Sequence, residues 1–122
     1  MNFWQLLLIS SGRTLIGAVF MMATLGDIRD YKMLLSLLDI KKVRYKTLLL
    51  PGAIALKFIC GTALVLHVFS PLAAFLLAGF TLIANIIFHH FWTLTGVERK
   101  KSFTQFLSNL AIVGGLLVLS GV

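Results

Sequence analysis

Long uninterrupted runs of apolar residues dominate the pattern of this chain. Four of them are long enough to cross a bilayer, since about 20 residues at about 1.5 Å rise span roughly 30 Å of hydrocarbon. Because a backbone in lipid must satisfy its own hydrogen bonds, we expect all four to be helices. Their predicted ranges are 3–25, 51–69, 71–92 and 103–122. The pattern predicts an all-α integral membrane four-helix bundle, forming one transmembrane domain over residues 1–122.

A shorter amphipathic segment lies between the first and second runs. Apolar residues recur at helical spacing over residues 28–39, and the basic stretch KKVRYK follows them. This pattern predicts a short interfacial helix on the cytoplasmic leaflet, whose basic flank favours anionic lipid headgroups. A solvated loop whose basic residues only set the topology is the alternative interpretation.

Two prolines and a glycine pair indicate where the helices begin and how they pack. Pro51 is expected in the first turn of the second long helix, and Pro71 in the first turn of the third, behind a cap from Ser70. The connection between these two helices is therefore expected to be tight. Gly114 and Gly115 are expected to allow close contact between helices.

The composition restricts the class of protein. Of the 122 residues, 59% are apolar and only 12% are charged. A soluble domain of this size cannot remove so much apolar surface from water, which excludes a soluble enzyme. The single cysteine excludes a disulfide scaffold. An integral membrane protein is the class that remains.

The basic residues lie in two segments, and this predicts the orientation. Six of the eleven Lys and Arg residues lie within 29–46 and three within 99–101. The positive-inside rule places both segments in the cytoplasm and both chain termini on the opposite side of the membrane. The net charge of +7 is thus assigned to topology and lipid contact, and no nucleic-acid partner is predicted.

Polar residues within the apolar segments are the candidate functional residues, because each is costly in hydrocarbon. Counting about 1.5 Å per residue from the predicted outer helix ends places four of them in one layer, roughly 15 to 21 Å deep. These four are Arg13, Lys57, Asn85 and Asn109. His89 and Gln105 share helix faces with the two asparagines through four-residue spacing. The six form a predicted polar seam and candidate ligand site; for the amides, hydrogen bonds that only hold helices together are the alternative.

The two cations of the polar seam have no carboxylate at their predicted depth. The four acids, Asp27, Asp30, Asp39 and Glu98, all belong to the predicted cytoplasmic interface. Three resolutions stay open. Lys57 is neutral or forms an ion pair by reaching towards Asp27; Arg13 rests on backbone carbonyls and Asn109; or an anion comes from a ligand, a lipid headgroup or another subunit.

The histidines and the cysteine argue against metal, haem and thiol chemistry. His67 is predicted at the opposite end of the bundle from His89 and His90, whose side chains point about 100° apart on a helix. Cys60 has no second cysteine to pair with. We predict no metal site, no catalytic residue and no independent enzymatic activity.

Four stretches carry a family resemblance. They are the arginine before GAVFMMATLGD, then LPGAIALKFICGTALVL, PLAAFLLAGFTLIANIIFHHFW and FLSNLAIVGGLLVL, which together extend from Arg13 to Leu119. These stretches resemble the DoxX family of small four-helix bacterial membrane proteins. His89, Asn109 and the pair Gly114-Gly115 stand where family members usually have His, Asn and Gly-Gly.

The chain departs from the family pattern at two charged positions. Family members commonly have lysine where this chain has Asp27, and glutamate where it has Lys57. The two charges are therefore exchanged, which favours Lys57 leaning towards Asp27 over an isolated cation. The exchange also leaves Arg13 without the acid that family members would offer from the second helix.

The resemblance implies an accessory or quinone-linked subunit of a membrane redox system, and two interpretations stay open. The first is an accessory subunit of a respiratory or redox complex, in contact with other membrane subunits or with further copies of itself. The second is a ligand-binding protein whose polar seam accepts a small anion or a quinone, the one possible cofactor. Arg13, Asn109 or His89 would then donate to a quinone carbonyl, and His89 would exchange protons.

Overall fold

The computed structural model describes residues 2–89 and 91–122. Its helices are α1 (Phe3–Arg29), α2 (Tyr31–Ile40), α3 (Lys46–Leu66), α4 (Ser70–Phe88) and α5 (Gly96–Ser120), with a 3-10 turn at Phe91–Thr93. Four segments are long and apolar enough to cross a membrane: α1, α3, α5, and α4 together with the 3-10 turn. The predicted all-α membrane bundle, with a short helix between its first two long ones, is confirmed.

The four long helices pack as neighbours in the order α1, α3, α4, α5. Arg13 of α1 contacts His67 just after α3, whereas Asp27 contacts Lys57 within it. A higher residue number in α1 is therefore paired with a lower residue number in α3, so the two helices are antiparallel. The core is made largely of leucines and alanines, and Leu64 of α3, Leu77 of α4 and Leu116 of α5 are fully buried.

Helices α1 and α3 make a close contact through two glycines. A Cβ added at Gly17 would lie 2.6 Å from the carbonyl oxygen of Gly61, and one added at Gly61 would lie 2.9 Å from that of Gly17. The predicted contact at the later glycine pair is wrong for Gly114, which has nothing within 4 Å of an added Cβ, while Gly115 faces Ile16 at an ordinary 3.8 Å. Because Gly17 and Gly61 have no side chains and face each other, the backbones of α1 and α3 can touch at this point.

The two ends of the bundle differ in chemistry. The basic end carries residues 41–46 and 99–101, and there Lys41 lies over the Phe88 ring at 5.8 Å. The terminal end carries both chain termini and the turn at residues 67–69.

Helix α1 projects beyond α3 at the terminal end. Gly17 lies opposite Gly61, which is five residues before the end of α3 at Leu66. An equal count along α1 reaches residue 12, so residues 3–11 extend about 13 Å past α3 at about 1.5 Å per residue. Residues 3–8 are all exposed.

Helices α3 and α5 begin earlier than predicted. The start of α3 at Lys46 places Pro51 inside the helix rather than in its first turn, at the loss of one hydrogen bond to the carbonyl four residues earlier. The start of α5 at Gly96, rather than Phe103, adds a charged segment. Charge limits how deeply a helix enters hydrocarbon but not where the helix begins, and Glu98 in the first turn suits the helix dipole.

Helix α4 is shorter than predicted at its basic end. It covers Ser70–Phe88 instead of 71–92, and Ser70 is its first residue without forming a side-chain cap. His89 leaves helical geometry at φ −125° and ψ 46°. The chain then turns, which stacks the Phe91 ring edge-on against Phe103 and Phe106 of α5 at centroid distances of 4.8 and 5.4 Å.

Helices α1 and α2 almost join. The predicted bounds of 3–25 and 28–39 become Phe3–Arg29 and Tyr31–Ile40. The Asp30 N–H donates to the Gly26 carbonyl at 2.9 Å, so the last turn of α1 stays helical through Asp27. This extra turn positions the Asp27 carboxylate against α3.

Candidate functional site

A cavity of about 520 Å³ lies among α1, α4 and α5, with one wall from α3. This volume lies within the usual range of small-molecule sites, roughly 300 to 1,000 Å³. Nine of its fourteen lining residues are apolar, including the phenylalanines Phe20, Phe80 and Phe88. The five polar ones are Lys57, Thr81, Asn85, His89 and Asn109. Mostly apolar walls with a few polar groups are typical of a ligand site.

An ion pair between helices borders the cavity. Lys57 Nζ donates to Asp27 Oδ2, and the two side chains are only 15% and 23% exposed. The ammonium also lies 5.8 Å from the centre of the Phe80 ring. The structure thus gives Lys57 the partner that the charge exchange favoured, which leaves the pair without net charge.

Three side-chain amides form a hydrogen-bonded chain from α4 to α5. Asn85 Nδ2 donates to the Phe106 carbonyl at 3.1 Å, and its Oδ1 accepts from Asn109 Nδ2 at 3.0 Å. Asn109 Oδ1 accepts in turn from Gln105 Nε2 at 3.4 Å. A carbonyl can only accept, so Phe106 fixes the orientation of Asn85 and thereby of the other two amides.

Asn85 and Thr81 form the deepest polar surface of the cavity. Asn85 is 1% exposed and Thr81 is 8% exposed, one helical turn apart on the same face of α4. The Thr81 hydroxyl is buried and has no hydrogen-bond partner among the described residues. A buried hydroxyl without a partner costs free energy, roughly 1 to 3 kcal/mol, unless something fills its hydrogen bond. This atom therefore marks a place where a ligand or water would be stabilised.

Arg13 does not lie in the predicted layer with the other seam residues. Its Nη1 donates to His67 Nδ1 at 2.8 Å at the terminal end, and it does not line the cavity. The predicted position counted depth from Phe3, but residues 3–11 project beyond α3, so the count placed Arg13 too deep. Of the resolutions left open for Arg13, a contact with Asn109 is not the one found, since the guanidinium contacts His67 instead.

The Arg13 contact requires a neutral imidazole at His67. A guanidinium has no acceptor, so His67 Nδ1 must accept and its Nε2 carries the proton. That Nε2 then donates to Thr14 Oγ1 at 3.4 Å. His67 also has a left-handed backbone, φ 60° and ψ 37°, where it closes α3 in a position usually taken by glycine. The two side-chain contacts offset part of that backbone cost.

The remaining predicted residues are divided between the cavity and its surroundings. His89 lines the cavity as the residue that ends α4, and its N–H still donates to the Asn85 carbonyl at 2.9 Å. Gln105 is exposed and does not line the cavity, which it touches only through Asn109. His90 lies outside the described residues.

Thr81 is the residue that the sequence-based site did not include. Thr81 is four residues before Asn85, which places both on one face of α4. Threonines in membrane helices commonly donate to their own backbone, so this spacing alone does not indicate a ligand site. Across residues 2–89 and 91–122, no group of three His, Cys, Asp or Glu side chains could hold a metal ion.

The four apolar spans define a multi-pass membrane protein. The sequence profile of the DoxX family matches residues 8–90, more than half of the chain, and the chain belongs to that family. The match includes Asp27, Lys57, Asn85 and His89, whereas α5 with Asn109 lies outside it. Searches of curated proteins and of solved structures found no match.

Proposed function

We propose that this DoxX-family protein binds an uncharged, lipid-soluble molecule with carbonyl groups, such as a quinone, in the cavity among α1, α4 and α5. The observation that carries this proposal is the buried Thr81 hydroxyl without a partner, on the wall of a largely apolar cavity. A ligand that carries a hydrogen-bond acceptor on an otherwise apolar molecule would satisfy this hydroxyl and also fill the apolar cavity.

The charges of the site favour a neutral ligand over a small anion. Lys57 is already paired with Asp27, so the cavity has no uncompensated positive charge from this pair. Arg13, the other cation of the predicted seam, is held by His67 away from the cavity. An anion would have to enter a poorly solvated site without a free counter-charge, which is costly.

The polar groups could serve two carbonyls of one flat molecule. Thr81 offers its O–H, and Asn109 has a second amide N–H besides the one given to Asn85. His89 lies further towards the basic end and is the residue that would exchange a proton if the bound molecule were reduced. The rings of Phe20, Phe80 and Phe88 supply apolar and aromatic walls.

Equilibrium binding of decylubiquinone to the purified protein in lipid nanodiscs tests the proposal. Asn109→Leu removes a cavity-lining amide and should weaken binding, whereas Gln105→Leu should leave it nearly unchanged because Gln105 does not line the cavity. A wild-type protein that does not bind the quinone, or equal losses in the two variants, would contradict a site at this place.

A second candidate function is an accessory subunit of a larger membrane assembly, respiratory or redox, or a homo-oligomer. It is favoured by the projection of α1, where Phe3, Trp4 and Leu8 are 70%, 68% and 70% exposed beyond the end of α3. Apolar residues that project beyond the end of α3 would gain from a covering partner.

Native mass spectrometry from mild detergent tests this second function, since it reports partners, copies and bound small molecules together. Leu8→Ser should dissociate the partner, whereas Val118→Ser on the similarly exposed α5 should not. An assembly that survives Leu8→Ser, or a wild type that is always monomeric, would count against it.

The proposed orientation places the basic end in the cytoplasm of a bacterium and both termini outside the inner membrane. The positive-inside bias and α2, whose flank carries Lys41, Lys42 and Arg44, support this orientation and a contact with anionic lipid. Labelling of Ser36→Cys and Ser120→Cys in a Cys60→Ala background should occur from inside and outside, respectively. External labelling at position 36 would reverse the topology.

A further inference from the structure

We infer that the ligand reaches this cavity sideways from the hydrocarbon core, between α1 and α5, and that the Thr81 hydroxyl binds its carbonyl oxygen. The inference rests on the proposed function and adds to it a route and an anchoring residue. The lateral opening is defined by Val19 and Ala23 of α1 and Ile112 of α5, all three of which line the cavity.

The exposure of the lining residues locates the opening. Val19 is 60% exposed and Ile112 is 37% exposed, although both line the cavity. Lining residues deeper in the bundle are covered, with Phe20 at 9%, Thr81 at 8% and Asn85 at 1%. A residue that borders a cavity and also faces the outside of the bundle lies at its mouth. The exposed lining residues all lie on α1 or α5, whereas the described lining residues of α4 are buried or half-buried, so the cavity opens between α1 and α5.

The helix contacts place this opening within the depth of the membrane. Gly115 of α5 faces Ile16 of α1 at 3.8 Å, and the opening lies on the basic side of that contact. Val19 is two residues past Gly17, which lies opposite Gly61 in α3. That level is seven residues, or about 10 Å, inside the end of α3, a helix long enough to cross about 30 Å of hydrocarbon.

The rim and the floor of the opening differ in polarity. Val19, Ala23 and Ile112 present only hydrocarbon, so a water-soluble ligand gains nothing at this rim. The floor, by contrast, holds the unpartnered hydroxyl of Thr81. A molecule arriving from lipid would therefore enter with its carbonyl group first. The carbonyl oxygen would accept a hydrogen bond from the Thr81 O–H, while the apolar tail stays in the opening.

Removal of the Thr81 hydroxyl tests the anchoring residue. Decylubiquinone binding to the full chain in phosphatidylcholine nanodiscs should weaken roughly two- to tenfold in Thr81→Val, the range expected for one net hydrogen bond. Thr104→Val is the matched control, because the Thr104 hydroxyl donates to the Lys100 carbonyl on the exposed surface of α5. Equal affinity of Thr81→Val and wild type would overturn the assignment.

A bulky residue at the rim tests the route. Val19→Trp should slow association of decylubiquinone several-fold in stopped-flow measurements, whereas Val118→Trp should not, although Val118 is 66% exposed. Unchanged association in Val19→Trp would overturn the lateral route.

The outcomes also separate this inference from the proposed function. If the wild type binds decylubiquinone and Asn109→Leu weakens binding, but neither Thr81→Val nor Val19→Trp alters it, the inference fails and a ligand site in the cavity stands on Asn109. If the wild type does not bind decylubiquinone, both the inference and the proposed function fail. Thermal unfolding of each variant, measured alongside, should match that of its control, and a variant that is unfolded is replaced by Thr81→Ala or Val19→Phe with the same expected direction.

Discussion

Arg13 and Lys57 are both cations within apolar helices, yet they are stabilised in different ways. Lys57 lies in the middle of α3, with a carboxylate from α1 as its partner and little exposure of either group. Arg13 lies at the terminal end, where a neutral imidazole is its partner. The comparison shows two arrangements: the Lys57 ammonium has an opposite charge beside it, whereas the Arg13 guanidinium has a neutral acceptor at Nη1 and a buried Nε without a partner among the described residues.

The deep pair also bears on the charge exchange that the family resemblance implies. A family resemblance implies lysine at position 27 and glutamate at position 57, the reverse of Asp27 and Lys57. Because the two side chains contact each other, exchanging the charges keeps one attractive pair between α1 and α3. The neutral cavity wall that favours an uncharged ligand is preserved by the same exchange.

The largest expected effect is on the deep pair. Lys57→Ala leaves the Asp27 carboxylate poorly exposed and unpaired, which should cost about 3 to 5 kcal/mol of unfolding free energy. The exchanged variant, Asp27→Lys with Lys57→Asp, should recover most of that loss. Denaturant unfolding in detergent, followed by circular dichroism, measures both. An exchanged variant no more stable than Lys57→Ala would show that the pair does not act as a unit.

A smaller effect is expected at the helix contact that lies between the two cation pairs. Gly17→Ala would place a Cβ 2.6 Å from the Gly61 carbonyl, so α1 and α3 must separate, at a cost of about 1 to 3 kcal/mol. Gly114→Ala is the control, since nothing lies within 4 Å of its added Cβ. Thermal unfolding should distinguish the two, and equal midpoints would contradict the close approach.

The Arg13 contact is expected to contribute less than the deep pair. Arg13→Gln should lower the unfolding free energy by about 1 kcal/mol, the size of one hydrogen bond. His67→Asn is the matched change, since asparagine tolerates the left-handed backbone at this position. A double-mutant cycle of the two should show coupling below that of Asp27 and Lys57. Stronger coupling would reverse the comparison.

The smallest effect is expected at the surface of the basic end. Lys46 Nζ lies 2.7 Å from Asp39 Oδ1, but the Asp39 side chain is 73% exposed. Asp39→Asn should therefore change the unfolding free energy by less than about 1 kcal/mol, and less at high salt. A loss comparable to that of Lys57→Ala would mean that exposure does not govern these pairs.

The fold could be predicted from the sequence because long apolar runs in lipid must form helices to satisfy their backbone hydrogen bonds. Helix ends in charged segments did not follow, as the early starts at Lys46 and Gly96 show, since charge limits membrane depth rather than helix length. In the site, the spacing of Asn85 and Asn109 predicted a shared region. Arg13 was misplaced because counting from helix starts assumed that all helices begin at one surface. The Thr81 hydroxyl could be singled out only once its burial was known.

The most direct test of the central claim is the choice between a neutral and an anionic ligand of similar size. Binding of decylubiquinone and of dodecanoate should be compared in wild type and in Asp27→Asn, which leaves Lys57 without its carboxylate. We expect the wild type to bind the quinone and to bind dodecanoate much more weakly, and Asp27→Asn to gain affinity for dodecanoate. A wild type that binds dodecanoate as tightly as the quinone would contradict a charge-balanced cavity for neutral molecules.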